Sequence, residues 1–197
     1  MDLSQVHPPA PVSAGRRGTL PAVDDLELTA PGLLLRPWRI ADAPEVLAAL
    51  ADPAIEQWNS QGVGDHAQAV TWIRYRADWS SGTRMSLAVT DAGDGTLLGA
   101  VSLNQIFQGN ATIGYWTAAA ARGRGIASMA VSTLTAWGFG SRGLHRIELC
   151  HAVANPASCR VALRAGYPLE GTLRESHRYG DGRRYDEHLH ARLATDT

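Results

Sequence analysis

The stretch ARGRGIA, residues 121–127, places two glycines and two arginines in four consecutive positions. Glycine loses more conformational freedom on ordering than any other residue, so an ordered Gly-x-Gly pair indicates a specific demand on the backbone. One interpretation is a tight turn that joins a strand to a helix. The other is an anion site, most often for a phosphate, built from backbone N–H groups at a helix N-terminus. The rest of the chain decides between them.

The composition is that of one globular domain with no dominant charge. The chain has 197 residues, 45% of them hydrophobic, and a net charge of -1. We therefore expect no nucleic-acid or membrane partner, a cytoplasmic location, and a monomer or homodimer. Two cysteines are too few for a disulfide framework and are expected to be reduced. All 18 basic residues are arginine, which excludes a catalytic Schiff-base lysine.

The first 31 residues differ from the remainder. They contain five of the ten prolines and show no hydrophobic period. This composition predicts a flexible leader over 1–31 and a single domain over 32–197. Prolines, glycines and changes of hydrophobic period then divide the domain into elements.

The predicted elements run from a short strand at 33–36 to a C-terminal hairpin. Asp42, Asp65 and Asn155 are predicted N-caps of three helices. Between the second and third of these lie a meander of three antiparallel strands, a long helix and one more strand. The corresponding ranges are 85–90, 96–104 and 111–117 for the meander, 125–140 for the long helix, 145–154 for the strand, and 167–179 with 183–193 for the hairpin.

A dinucleotide-binding fingerprint is the first candidate for the glycine motif. It needs a third glycine where Ser128 stands, followed by a long array of alternating strands and helices. Only 72 residues follow Gly125, and many of them read as a hairpin. This interpretation is therefore disfavoured.

The order of elements around ARGRGIA resembles the GNAT acetyltransferase family instead. The segments IGYWTAAAARGRGIA and RIELCHAVANPASCRVALRAGYPLEGTLRE are most similar to its Rim-type branch, which acetylates the N-termini of ribosomal proteins. The resemblance covers roughly residues 33–193 and is specific from Ile113 onward. It implies an α+β fold with a mixed, mostly antiparallel, splayed sheet and helices on both faces.

The resemblance also implies a site for acetyl-coenzyme A, used as the acyl donor. The family motif that wraps the pyrophosphate falls on Arg122, Gly125 and Ala127, and the pantetheine arm runs along the edge of the strand that holds Tyr115. The implied cofactor-binding residues are Tyr115, Trp116, Thr117, Arg122, Gly123, Arg124, Gly125, Ile126, Ala127, Asn155 and Ser158.

Three residues are candidates for catalysis by the same resemblance. Ser158 occupies the position beside the departing sulfur, and Ala162 stands where many family members have a tyrosine. Tyr115 lies on the strand edge that faces the thioester. Thr112 replaces a glutamate common in this branch, which leaves His151 or Glu148 on the next strand, or a water relay, as the base.

The run Asp186-Glu187-His188-x-His190 raises the question of a metal. Alternation places His188 and His190 on one face of a strand with Asp186. Without a second cluster of ligands, the pair is not a recognised metal spacing. We therefore expect a polar sheet face and no metal.

The sequence thus predicts transfer of an acetyl group to a primary amine, with a protein N-terminus as the first acceptor class. The alternatives are a small amine of the polyamine or aminoglycoside type, a succinyl-coenzyme A donor, and an inert coenzyme A-binding module. The acceptor pocket is expected between the first two helices and the final hairpin, with Trp58, Trp79 and Arg178 as lining candidates. An arginine or histidine on its far side would predict an acceptor that carries negative charge.

Overall fold

A computed structural model describes residues 26–196. Eight strands form one sheet in the order β1-β2-β3-β4-β5-β6-β8-β7. Every neighbouring pair is antiparallel except β5 and β6. The strands are β1 Leu28–Ala30, β2 Leu33–Arg36, β3 Met85–Asp91, β4 Leu97–Phe107, β5 Asn110–Thr117, β6 Arg146–Ala152, β7 Leu169–Arg178 and β8 Arg184–Leu193.

Helices cover both faces of this sheet because its central strands alternate between two apolar cores. In β4, Val101 faces one core and its neighbour Ala100 faces the other. The first core is closed by α4 and α5, and the second by α1, α2 and α3. The helices are α1 Ala43–Leu50, α2 Pro53–Asn59, α3 His66–Ala77, α4 Ile126–Gly140 and α5 Pro156–Arg164. The predicted α+β architecture is confirmed.

The sheet opens between β5 and β6. These parallel strands pair only where Asn110–Thr112 meet Arg146–Glu148, and beyond that point no ladder joins them. The splay that the resemblance implied is therefore present, and it leaves the second half of β5 without a strand neighbour on one side.

Two elements were missed by the sequence analysis. β1 at Leu28–Ala30 pairs with β2, although these residues were assigned to the leader. The expectation for residues 1–25 lies outside the described part of the chain. The short helix α2 follows Asp52, whose carboxylate accepts hydrogen bonds from two first-turn N–H groups at 3.1 Å. Its seven residues are too few to show a helical period.

One predicted helix cap is wrong. Asp42 makes no side-chain cap to α1; its carboxylate is buried and pairs with Arg36 at 2.8 and 2.9 Å. Asp42 also accepts from the N–H of Arg39, at the start of a short 3-10 turn. The buried guanidinium competes for the carboxylate, which local sequence rules do not anticipate. The caps at Asp65 and Asn155 are confirmed.

No helix among residues 26–196 combines the length and apolarity needed to cross a bilayer.

Candidate active site

The gap between β5 and β6 exposes backbone of β5. The carbonyl of Tyr115 points into this gap and accepts a hydrogen bond from Asn59 Nδ2 at 3.1 Å. In an antiparallel strand the N–H and C=O of one residue point the same way, so the N–H of Tyr115 also faces the gap. β5 therefore offers the free edge on which an extended ligand can pair.

A pair of hydroxyls lies beside this edge. Tyr115 Oη and Ser158 Oγ are 2.5 Å apart, the first carried by β5 and the second by the first turn of α5. Burial raises the pKa of Tyr115 to about 12, so the phenol is a neutral donor near pH 7. Ser158 therefore does more than begin a helix, because its side chain reaches across the gap to the opposite strand.

Asn155 performs the capping role that its position predicts. Its Oδ1 accepts from the N–H of Ser158 at 3.3 Å, and Pro156 follows as the first helical residue. Ala162, in the position of the missing tyrosine, is fully buried in the core. A phenol is nevertheless present beside Ser158, because Tyr115 of β5 places its hydroxyl there.

The glycine motif forms a turn with a helix N-terminus behind it. Gly123 and Gly125 both have φ of +77°, a conformation that side chains rarely adopt, and a Cβ at either would meet no atom within 4 Å. The first hydrogen bond of α4 runs from Met129 N to Gly125 O, and no side chain caps the helix. The N–H groups of residues 126–128 therefore remain available to an anion.

The two arginines of the motif already have acidic neighbours. Arg122 pairs with Asp52, the residue that caps α2, and this contact lowers the pKa of Asp52. Arg124 lies 4.0 Å from Asp91. Both guanidinium groups are substantially exposed, so these pairs are weak enough to rearrange around a phosphate.

One cavity of about 580 Å³ unites these features. It reaches from the glycine motif along β5 to α5, β6 and the C-terminal hairpin. Of the predicted cofactor-binding residues, only Arg124 lies outside its lining. Trp116 contributes to the wall, but its side chain is buried in the second core and stacks on Trp38. The sequence prediction therefore selected positions that the fold brings together, and their roles remain predictions.

The candidate bases occupy different environments. Burial lowers the pKa of His151, whose Nδ1 lies 2.8 Å from the Ala152 carbonyl and whose Nε2 lies 3.2 Å from His190 Nε2. Glu148 is ion-paired with Arg146 at 2.8 Å and does not line the cavity. His151 lines the cavity, but the polar contacts of its ring lie on the far side of β6 from the acceptor wall.

The acceptor side of the cavity is built from α2 and the C-terminal hairpin. Gly180 N donates to Gln57 O at 3.0 Å, and Trp58 packs edge-on against Tyr179 and Tyr185. This wall includes Trp58, Asn59, His177, Tyr179 and Glu187.

Two of the three predicted acceptor-lining residues are placed elsewhere. The prediction for Trp79 is wrong, because its indole is buried in the first core. Arg178 points along the hairpin, where Nη1 donates to Gly182 O at 2.9 Å. Asn59, Tyr179 and Glu187 were missed as acceptor-wall residues. Asn59 lies on the undetected helix, and the other two become recognisable only once the hairpin is seen to dock on α2.

A second, polar cavity of about 270 Å³ adjoins the first on the α3 face of the sheet. The two share Asn59 and Tyr115 as walls. Arg76 of α3 lies in it, donates to Gln61 Oε1 at 2.6 Å, and keeps Nε buried without a partner. None of the described residues that line this cavity is acidic. Burial of this guanidinium lowers the pKa of Arg76.

The expectation of a merely polar face around His188 and His190 is wrong. His190 is fully buried, and both rings lie close to His151 and Cys159 from neighbouring elements. The fold therefore brings together four side chains of types that can bind a metal, two of them from outside the run 186–190.

Comparison with known proteins agrees with this architecture. Residues 32–168 match the family model of the acetyltransferase (GNAT) domain. The ribosomal-protein-serine acetyltransferase of Escherichia coli is 39% identical over 100 residues, covering 49% of this chain and 55% of that protein. YdaF of Bacillus subtilis is 38% identical over 95 residues, covering 47% and 51%. The chain spans about half the length of these two curated relatives.

A solved structure extends the likeness over most of the domain. RimJ of Mycobacterium smegmatis, in complex with CoA-disulfide, is 30% identical with a TM-score of 0.74, covering 85% of this chain and 86% of that one. The splayed sheet, the glycine turn before α4 and the family match agree with one another, and the chain belongs to the GNAT acetyltransferase family.

Proposed function

We propose that this protein transfers an acetyl group from acetyl-coenzyme A to the primary amine at a protein N-terminus. The observation that carries the proposal is the continuous cavity in which an uncapped helix N-terminus, a free strand edge and a hydroxyl pair follow one another. A pyrophosphate, a pantetheine arm and a thioester require these features in that order.

The cofactor would bind mainly through backbone groups. The pyrophosphate is held by N–H groups of residues 126–128, with Gly123 and Gly125 allowing close approach. The pantetheine arm pairs with the open edge of β5. The N–H of Tyr115 faces the gap and is the donor assigned to the thioester oxygen, where negative charge develops during attack.

The reaction is a direct displacement. The ammonium first loses one proton to water. The amine nitrogen then forms a bond to the thioester carbon, the carbon–sulfur bond breaks, and the second proton lost by nitrogen passes through water to replace the one that the hydroxyl pair gives to sulfur. Ser158 donates that proton to the thiolate, and Tyr115 donates to Ser158 in turn. Glu187, the one acidic residue among the described residues that line the main cavity, is assigned to attract the incoming ammonium group. It accepts from Tyr179 Oη at 2.8 Å and Ser176 Oγ at 2.7 Å.

The charge of Arg76 supports a protein N-terminus over a polyamine or an aminoglycoside as the acceptor. A guanidinium with no acidic partner, in a cavity whose described lining contains no acid, repels a polyamine or an aminoglycoside, which carry several positive charges. It favours an acceptor with a carboxylate a few ångströms from the amine, such as a protein N-terminus followed by an acidic residue. The names of the Escherichia coli relative and of RimJ are consistent with an N-terminal acceptor.

The test is release of free thiol from acetyl-coenzyme A with a panel of amines. We expect turnover with peptides that begin Ser-Asp or Ala-Asp, and less with matched Ser-Lys and Ala-Lys peptides, spermidine or an aminoglycoside. Because the chain has no lysine, self-acetylation of lysine side chains does not contribute, and a reaction without amine corrects for exchange with the cysteine thiols. Tight cofactor binding without thiol release in the presence of any amine would show that the protein is an inert coenzyme A-binding module. Faster thiol release with succinyl-coenzyme A than with acetyl-coenzyme A would identify the succinyl thioester as the preferred donor.

Arg76→Gln separates the acceptor claim from the reaction itself. We expect kcat/KM for the acidic peptides to fall by about tenfold, while that for neutral peptides changes little. Arg74→Gln is the matched control, since Arg74 lies on the same helix with an exposed side chain. An equal loss for acidic and neutral peptides would contradict the assignment of Arg76 and leave the acetyl-transfer proposal standing.

A further inference from the structure

Three histidines and a cysteine meet between β6, α5 and β8. One nitrogen of each of His151, His188 and His190 and the sulfur of Cys159 lie within 4.8 Å of one another. Two of the four residues are buried and two are half-buried. Imidazole nitrogen and thiolate sulfur are the ligands that zinc prefers in proteins.

The hydrogen bonds of two of these rings fix where their lone pairs point. Nδ1 of His151 lies 2.8 Å from the Ala152 carbonyl oxygen, and Nδ1 of His190 lies 3.0 Å from the Tyr167 carbonyl oxygen. A carbonyl only accepts, so each Nδ1 carries the hydrogen and each neutral ring keeps a lone pair on Nε2. These two Nε2 atoms are 3.2 Å apart. Facing lone pairs at that distance repel unless a proton or a metal ion lies between them.

The third histidine supplies an independent observation. His188 Nδ1 is buried and has no hydrogen-bond partner among the described residues. Buried polar atoms in folded proteins are nearly always satisfied, and an orphan calls for an explanation such as an ion. A metal bound by the cluster would explain both the orphaned nitrogen and the opposed lone pairs.

We propose that His151, His188, His190 and Cys159 bind one zinc-like divalent transition-metal ion with tetrahedral geometry. Bond lengths of about 2.0–2.3 Å place tetrahedral ligand atoms about 3.3–3.8 Å apart, so the cluster needs only a small contraction. The carbonyls of Ala152 and Tyr167 already orient two rings in the manner typical of zinc-bound histidines. Binding would release the thiol proton of Cys159 to solvent.

The ion would be structural, because four protein ligands leave no open coordination position. It would join α5 to both β6 and β8, on the face of the sheet occupied by the first core. Ser158 precedes Cys159 in the chain, so the ion would also hold the serine in place opposite Tyr115. The inference does not depend on the proposed acceptor or on acetyl transfer.

The test is titration of the full chain, first stripped of metal by a chelator, with Co²⁺. We expect saturation at one equivalent, the intense visible bands of tetrahedral Co²⁺, a thiolate-to-cobalt charge-transfer band, and displacement by Zn²⁺. Zinc should also raise Tm by about 5 °C or more at concentrations well above Kd.

Variants identify the ligands. Cys159→Ser should abolish the charge-transfer band and weaken binding at least tenfold, whereas Cys150→Ser, the matched control, should leave both unchanged. His188→Gln should weaken Co²⁺ binding at least tenfold and retain the charge-transfer band. This variant tests the proposal if Cys159→Ser fails to fold. Circular dichroism checks folding. Absence of saturable Co²⁺ binding, or equal binding by wild type and either ligand variant, would overturn the proposal.

Discussion

The hydroxyl pair of Tyr115 and Ser158 gives the sharpest prediction about mechanism. If the two act as one relay to the departing thiolate, removal of either hydroxyl should lower kcat by about 10²-fold, or about 2.7 kcal/mol, with little change in cofactor affinity. The double variant Tyr115→Phe/Ser158→Ala should then lose no more than either single one. Independent contributions would instead multiply to about 10⁴-fold.

The two single variants should also differ in their free energy of unfolding. Ser158→Ala removes the hydroxyl that lies 2.5 Å from Tyr115 Oη, and so takes away the partner of this half-buried side chain. That orphaned group should cost about 1–3 kcal/mol. Tyr115→Phe leaves only the half-buried Ser158 hydroxyl, which water can reach from the cavity, and should cost about 1 kcal/mol. Because the pKa of Tyr115 is about 12, the profile of kcat against pH should show no loss from its ionisation below pH 10.

A second hydroxyl pair provides the control. Thr135 Oγ1 and Tyr167 Oη are also 2.5 Å apart and fully buried, and neither lines the cavity. Tyr167→Phe should lower Tm and leave kcat unchanged. The assays are thiol release at saturating substrates and thermal unfolding on the same preparations. A kcat within about threefold of wild type in both active-site variants would refute the relay and leave the pair a purely structural contact.

Three further predictions concern other contacts. Gly125→Glu should weaken coenzyme A binding at least tenfold, measured by calorimetry, because the new carboxylate enters the anion site. Gly143→Glu is the control: Gly143 also has a positive φ and open space around a Cβ, and this variant should leave the affinity unchanged. Asp42→Ala should lower the free energy of unfolding in urea by about 3–5 kcal/mol, since it strands the buried Arg36 charge; a loss below about 1 kcal/mol would contradict this. Gly180→Ala would make a Cβ collide with the backbone oxygen of Glu56 in α2, so we expect a raised KM for the amine with unchanged cofactor affinity. An unchanged KM would contradict the assignment of α2 and the hairpin as the acceptor wall.

Much of the fold was predictable because its elements carry local signals. The meander, the glycine turn before α4, the Asn155 cap and the final hairpin follow from turn chemistry and hydrophobic period. α2 escaped detection because seven residues show no period, and β1 because it lies beside a proline-rich segment.

The site was predictable only in part, for a different physical reason. Gly125 and Ser158 fall in recognisable local motifs. The contact between Tyr115 and Ser158 spans 43 positions. Arg76 becomes conspicuous only when the described residues around it are seen to lack acid. Contacts between distant segments, and missing partners, leave no trace in a local pattern.

The interrupted sheet has a consequence for how the molecule moves. Among the described residues, three ladder pairs join β5 to β6, with two further backbone hydrogen bonds to the Gly109 carbonyl at the same end. Local opening should therefore begin at this seam, where few backbone hydrogen bonds must break. A ligand lying in the seam supplies the missing bonds and acts as a temporary strand. Amide exchange along the second half of β5 should accordingly be fast in the free protein and slow when coenzyme A is added. The proposed cofactor would then also act as a reversible brace between the two parts of the sheet.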